Sequence, residues 1–322
     1  MKKQVEQLNN EGAELFLIGK FKEAKLKYKQ ALNISPNYPT TLNNLGMIYL
    51  QEKKFKQAEK NFKAAFSKKE KATYMLNLGH AYANQNKQNE AETSYQKSIE
   101  LNPNSIMAWK SLATLYQYKK EFRKSVKTWK YIIQQLDNDN YFRIQLAKAY
   151  IKLGEYKNAL AVLDEASHYE KHQELIWYYS ALIHLNTKNF GWAKSSIMKS
   201  LAIQPNQEDF RALLATIHLA LSEFNEAIFQ WDAILKLNEY NHKVRIDKAI
   251  TLMSKHYNDE ALSEFEKVLQ YDETNYKAQF YKAIVLLEMN KSKSTVIKIL
   301  NKLKLENHPY ASKAEILLTK IS

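Results

Sequence analysis

His168 and His172 lie four residues apart, with Glu170 between them. On a helix that spacing puts two imidazoles on one face, where they could share a metal ion. No third ligand stands nearby, so the pair reads as solvated surface, and no metal site is expected. Gly19-Lys20 has the ending of a phosphate-binding loop, but the preceding glycine is Gly12, the wrong spacing for backbone amides to wrap a phosphate. Neither Gly-x-Gly-x-x-Gly nor the Gly-x-Ser-x-Gly elbow occurs. The lack of cysteine removes disulfides, thiolate metal sites and cysteine nucleophiles. The chain is therefore expected to be no enzyme and to take no cofactor. Its polar side chains are left with recognition as their work.

Composition sets the elements that must position them. The 322 residues include only 6 glycines and 5 prolines, far below the usual share of about 12%. Turn-rich β and doubly wound architectures need many more such residues, so an almost purely helical chain with short connections is expected. With 45% hydrophobic and 25% charged residues the chain is globular in character. Lys2 and Lys3 are not followed by an apolar stretch, and no window approaches 18 apolar residues. Neither a secretory signal nor a membrane span is expected, and the cytoplasm is the default location.

The helices come in a repeating pair. Gly12, Gly46 and Gly79 begin a series of small residues that continues through Ala113, Ala147, Ala181, Ala215, Ala249 and Ala283, at spacings of 33 or 34. A second series, 12 residues later, runs Ala24, Ala58, Ala91, Ser125, Ala159, Ala193, Ala227, Ala261 and Thr295. Four residues beyond each of these stands a bulky one: Tyr28, Phe62, Tyr95, Trp129, Leu163, Ile197, Trp231, Phe265 and Ile299. Small residues let two helix backbones approach, and bulky ones fill the gap to the next pair. Pro36, Pro103 and Pro205 mark helix ends. One pair cannot bury its apolar face alone, so the pairs must stack.

These residues resemble the tetratricopeptide repeat, most fully in Leu78, Gly79, Tyr82, Ala91, Tyr95 and Pro103. The resemblance implies an all-α, right-handed α-solenoid, a superhelix of antiparallel helix pairs A and B. Nine repeats are expected over residues 1–304, starting near 5, 39, 72, 106, 140, 174, 208, 242 and 276, with a capping helix in 305–322. Its apolar set would be Tyr310, Ala314, Leu317, Leu318 and Ile321. One continuous domain follows. His184 and His218 take a place where the repeat usually has tyrosine, and Trp109, Trp129, Trp177 and Trp231 take core places; all are expected to pack inside.

The family's concave groove, lined by A helices, binds peptides or helices of other proteins. In the pattern of the resemblance, Asn10, Asn44 and Asn77 stand in register there. An amide offers both a donor and an acceptor, so the three could grip an extended peptide backbone; the same residues would also suit a solvated face. Lys110, Gln145 and Lys148 continue the lining, and Tyr178, Tyr179, Phe280 and Tyr281 give an apolar docking surface further on. The family's two-carboxylate clamp would need Asn9, Ala13, Asn44, Thr73 and Asn77 to match, and only Asn44 does, so no such clamp is expected.

The formal charge of +14 arises from 48 basic and 34 acidic residues. At groove positions, Lys110, Lys148, Lys152, Lys243 and Lys277 face Glu6, Asp209, Asp247 and Glu288, a net of only +1. The excess falls in loops and B helices, as at Lys53, Lys54, Lys56, Lys60 and Lys63. A continuous basic track is missing, which disfavours nucleic acid in the groove. The expected function is a non-enzymatic scaffold or adaptor that holds an extended peptide or amphipathic helix of another protein. The alternative is nucleic acid or an anionic membrane surface on the convex, lysine-rich B helices. Self-association through the end repeats is a variant of the scaffold reading.

Overall fold

A computed structural model describes residues 1–305 and 308–321. Residues 306, 307 and 322 of the expected capping segment lie outside the described residues. The described chain is all-α, with no strand, and divides into two compact units, Met1–His168 and Tyr169–Ser322.

The first unit contains α1 (Lys2–Leu17), α2 (Phe21–Ile34), α3 (Pro39–Gln51), α4 (Phe55–Lys68), α5 (Ala72–Ala83), α6 (Gln88–Leu101), α7 (Ile106–Tyr118), α8 (Phe122–Gln135), α9 (Asn140–Leu153) and α10 (Tyr156–Ser167). The second contains α11 (Gln173–Asn186), α12 (Phe190–Ile203), α13 (Glu208–Ala220), α14 (Phe224–Leu237), α15 (His242–Met253), α16 (Asn258–Tyr271), α17 (Tyr276–Glu288), α18 (Lys293–Leu305) and α19 (Ala311–Ile321). Within each unit, every helix packs on its chain neighbour, so both are solenoids of antiparallel pairs.

The two helix classes differ in burial. The B helix α4 buries one stripe, Ala58, Phe62 and Ala65, whereas the A helix α3 buries Thr41, Leu42, Asn43, Leu45, Gly46 and Ile48. An A helix is therefore covered on several sides and a B helix on one. Gly46 shows how close the pairing is. A Cβ built there would lie 2.6 Å from Cε1 of Phe62, closer than any carbon contact allows. Gly12 meets Tyr28, and Gly79 meets Tyr95, in the same way. In the last pair Val296, Leu300 and Leu303 would be left bare, and α19 covers them with Ala314, Leu317, Leu318 and Ile321.

Each A helix ends the same way. In the turn that follows, an N–H reaches back to a carbonyl five residues earlier, as in Lys54 to Tyr49 (2.8 Å) and Glu121 to Tyr116 (2.8 Å). This closure requires a left-handed residue one place before. Gly19, Lys53, Asn86, Lys120 and Gly154 fill that place in the first unit, and Lys188, Ser222, His256 and Asn290 in the second, all at positive φ. Scarcity of glycine therefore does not mean scarcity of left-handed turns: most of these turns carry a residue with a Cβ, at a conformational cost.

Candidate functional site

In the first unit the asparagines form a string of hydrogen bonds from helix to helix. Asn77 Nδ2 donates to Asn43 Oδ1 (2.8 Å), Asn43 Nδ2 to Asn44 Oδ1 (3.3 Å), and Asn44 Nδ2 to Asn9 Oδ1 (3.0 Å). Thr41 Oγ1 also donates to Asn9 Oδ1 (3.0 Å). Asn44 and Asn77 are half-buried, and part of their capacity thus ties α1, α3 and α5 together; Asn10 is exposed. Asn9, weighed from sequence only as a clamp position, and Asn43, not singled out at all, share the spacing of the ladder one residue earlier.

Further along this face, Lys110 Nζ sits 4.5 Å from the ring centre of Tyr141, a cation–π contact. Gln145 accepts at its backbone carbonyl from Gln117 Nε2 (3.3 Å). Lys148 is half-buried, and burial, with Lys152 beside it, lowers its pKa below the ordinary lysine value. Between α5 and α7 opens a cavity of about 450 Å³, with His80, Met107, Lys110, Ser111 and Tyr118 in its walls and Tyr95 of α6 beneath. His80 and Ser111 share a hydrogen bond of 3.0 Å, and burial lowers the pKa of His80, so its imidazole is neutral near pH 7. His80 was missed from sequence because nothing in its spacing distinguishes it from a packed residue.

In the second unit Tyr178 stacks on Phe210, with centroids 5.1 Å apart, and meets Tyr179 edge-on at 5.1 Å. Burial first, and Asp209 after it, raise the Tyr178 phenol above its ordinary pKa. A smaller cavity of about 280 Å³ has Tyr178, Asp209, Thr216, Lys243 and Asp247 in its walls. Asp247 is bound by Lys277 at 3.0 Å. Phe280 departs from the sequence expectation. It is only 8% exposed and packs with Leu286, Leu300 and Tyr310, beneath the surface a partner would touch. The added helix α19 covers what a bare repeat would present. Tyr281 remains half-buried, stacked on Phe265 at 6.1 Å.

The other residues singled out in the sequence also find their places. His168 caps α10, while His172 precedes α11 at positive φ, so the pair shares no helix. His218 is buried, with Nδ1 2.5 Å from Glu223 Oε2, whereas His184 is half-buried against Trp192. Trp129 and Trp231 are core, but Trp109 and Trp177 are only half-buried. Trp109 Nε1 donates to the Pro103 carbonyl (2.8 Å), and Lys199 Nζ lies 3.9 Å from the Trp177 ring centre. Charge is divided unequally: the first unit has 28 basic against 16 acidic residues, the second 20 against 18. On α4 and the turn before it, Lys53, Lys56 and Lys60 are exposed, while Lys54 and Lys63 pair with Glu52 (2.8 Å) and Glu59 (2.7 Å).

Three stretches match family models, residues 12–65 as TPR repeat and residues 72–105 and 142–167 as tetratricopeptide repeat. Anaphase-promoting complex subunit 3 of Schizosaccharomyces pombe is 24% identical over 76% of this chain and 38% of its own length. BBSome complex member BBS4 of Bos taurus is 22% identical over 75% of this chain and 53% of its own. The chain thus spans roughly half or less of the length of these relatives. Among solved structures, the C-terminal part of a TPR repeat-containing protein from Cytophaga hutchinsonii superposes with a TM-score of 0.61 at 18% identity, covering 74% of this chain and 98% of that one.

Proposed function

Because the chain is a tetratricopeptide-repeat protein, we propose that it works as a non-enzymatic scaffold or adaptor holding a segment or helix of a partner protein on its A-helix face. One observation carries this reading. In each unit that face opens a cavity walled by aromatic and polar side chains, about 450 Å³ in the first and about 280 Å³ in the second. Such concave, partly apolar sites with a few placed polar groups are where ligands bind. The two relatives described above are named as members of protein complexes, which supports an assembly role here.

Site-directed photocross-linking in the native host tests it. A photoreactive residue at Thr114 or Thr216, each in a cavity wall, should capture the partner. One at the exposed outward positions Lys60 or Lys157 should not. Capture only from the outward positions would refute the groove reading and favour the lysine-rich B helices, whose binding would then weaken steeply with salt.

A further inference from the structure

We propose that the face formed by α5, α7 and α9 takes an acidic, apolar-anchored segment of a partner protein: an apolar side chain enters the cavity between α5 and α7, and carboxylates lie against Lys110, Lys148 and Lys152. The inference rests on the groove reading and adds its chemistry.

The sequences of these three A helices contain no aspartate or glutamate. Their cationic residues are Lys110, Arg143, Lys148 and Lys152. Arg143 is buried and engaged by Glu165 (2.8 Å) and the Asn138 carbonyl, so it belongs to the framework. On α9, Tyr141, Gln145, Lys148 and Lys152 follow the three- and four-residue spacing that makes one stripe. Lys110 comes from α7 onto the Tyr141 ring at its head. Two like charges one turn apart repel, and a carboxylate between Lys148 and Lys152 would relieve that repulsion. The partial burial that lowers the pKa of Lys148 also strengthens any charge pair formed there.

The cavity beside the stripe asks for an apolar group. Its walls include Met107 and Tyr118, 55% and 68% exposed, large apolar side chains left facing water. Of its polar wall groups, His80 and Ser111 are bonded to each other, and Asn84 and Thr114 donate to carbonyls four residues earlier, so these four lose little when water leaves. No acidic residue stands in its walls. Three lysines beside an apolar cavity suit an acidic protein segment better than a nucleic acid, which needs a longer basic track. The corresponding face of the second unit lacks this single sign, since Asp209 and Asp247 stand there with Lys243 and Lys277.

Fluorescence anisotropy on the full chain tests the chemistry. The probe is a labelled, capped dodecapeptide with a central leucine flanked by two glutamates on each side, in a glycine–serine background. Companions replace the glutamates with glutamine or lysine, or the leucine with serine. The glutamate peptide should bind about tenfold tighter than the glutamine peptide, a difference of about 1.4 kcal/mol. Lys148→Gln with Lys152→Gln should erase that difference without changing the circular dichroism, and Ser111→Trp, which fills the cavity, should erase the preference for leucine over serine. Equal binding of the glutamate and glutamine peptides, no binding of the glutamate peptide at millimolar protein, or an unaltered preference in the lysine variant would overturn the proposal. So would a dodecamer of uridylate that binds more tightly through the same lysines. Photocross-linking at Thr114 separates the two readings. Captured partner segments without acidic residues would sink the acidic chemistry and leave the groove reading standing, whereas capture only from B helices would sink both.

Discussion

Lys120 and Gly154 occupy the same place in successive A-to-B turns of the first unit, at φ of 60° and 74°. Both turns close with the same backbone bonds, Glu121 to Tyr116 (2.8 Å) and Glu155 to Tyr150 (3.0 Å). A left-handed conformation costs a residue with a Cβ about 1–2 kcal/mol, and glycine returns about 0.4–1 kcal/mol of this through its greater freedom when unfolded. Lys120→Gly should therefore stabilise the chain by about 0.5–1 kcal/mol, and Gly154→Ala should destabilise it by as much. Neither change disturbs packing: Lys120 is exposed, and a Cβ at Gly154 meets nothing within 4 Å. With a urea dependence of about 2 kcal/mol per molar, the midpoint followed by circular dichroism should rise by about 0.3–0.5 M in the first variant and fall by as much in the second. Lys120→Ala keeps the strained conformation and removes only the solvated chain, so it should leave the midpoint in place. If Lys120→Ala stabilises as much as Lys120→Gly, charge rather than backbone conformation is responsible. If Lys120→Gly and Gly154→Ala shift the midpoint in the same direction, the reasoning fails.

Three further outcomes follow from the packing and the polar face. Gly46→Ala should lower stability by up to about 2 kcal/mol, because overpacking (about 1–3 kcal/mol) outweighs the helix preference of alanine (about 1 kcal/mol); adding Phe62→Leu should restore part of the loss in urea unfolding. Burial works to raise the pKa of Glu59, but hydrogen bonds from Lys63, Lys87 and Gln85 prevail and hold it at about 2, against an ordinary 4.5. Its contribution is thus complete above about pH 4.5 and is lost as pH falls towards 2, so Glu59→Gln should flatten that part of the stability–pH curve. Asn44→Ala with Asn77→Ala should weaken partner capture while helicity is kept, and unchanged capture would remove these asparagines from the binding face.

The fold class was legible because packing is periodic. Two helices can approach only where small residues face bulky ones, and that demand recurs with each pair, so Gly46 and Phe62, or Ala58 and Ala91, show the architecture in one dimension. The left-handed turns were hidden for the opposite reason. Lysine, asparagine, serine and histidine at Lys53, Asn86, Lys120, Lys188, Ser222, His256 and Asn290 tolerate the conformation without being typical of it, so composition understates how often it occurs.

Sequence by itself determined the helix pairing, the close glycine contacts and the sign of charge along each A helix, all of which depend on residue type and period. Only the tertiary structure decided how the polar side chains are spent. Asn77 bonds to Asn43 rather than to Asn44, and Phe280 is sealed by Tyr310 and the residues of α18 and α19. His80 turns to Ser111 beside an open cavity. A repeat period fixes which face a residue occupies, but a hydrogen bond or a covered ring depends on separations of a few tenths of an ångström between helices, which no one-dimensional spacing carries.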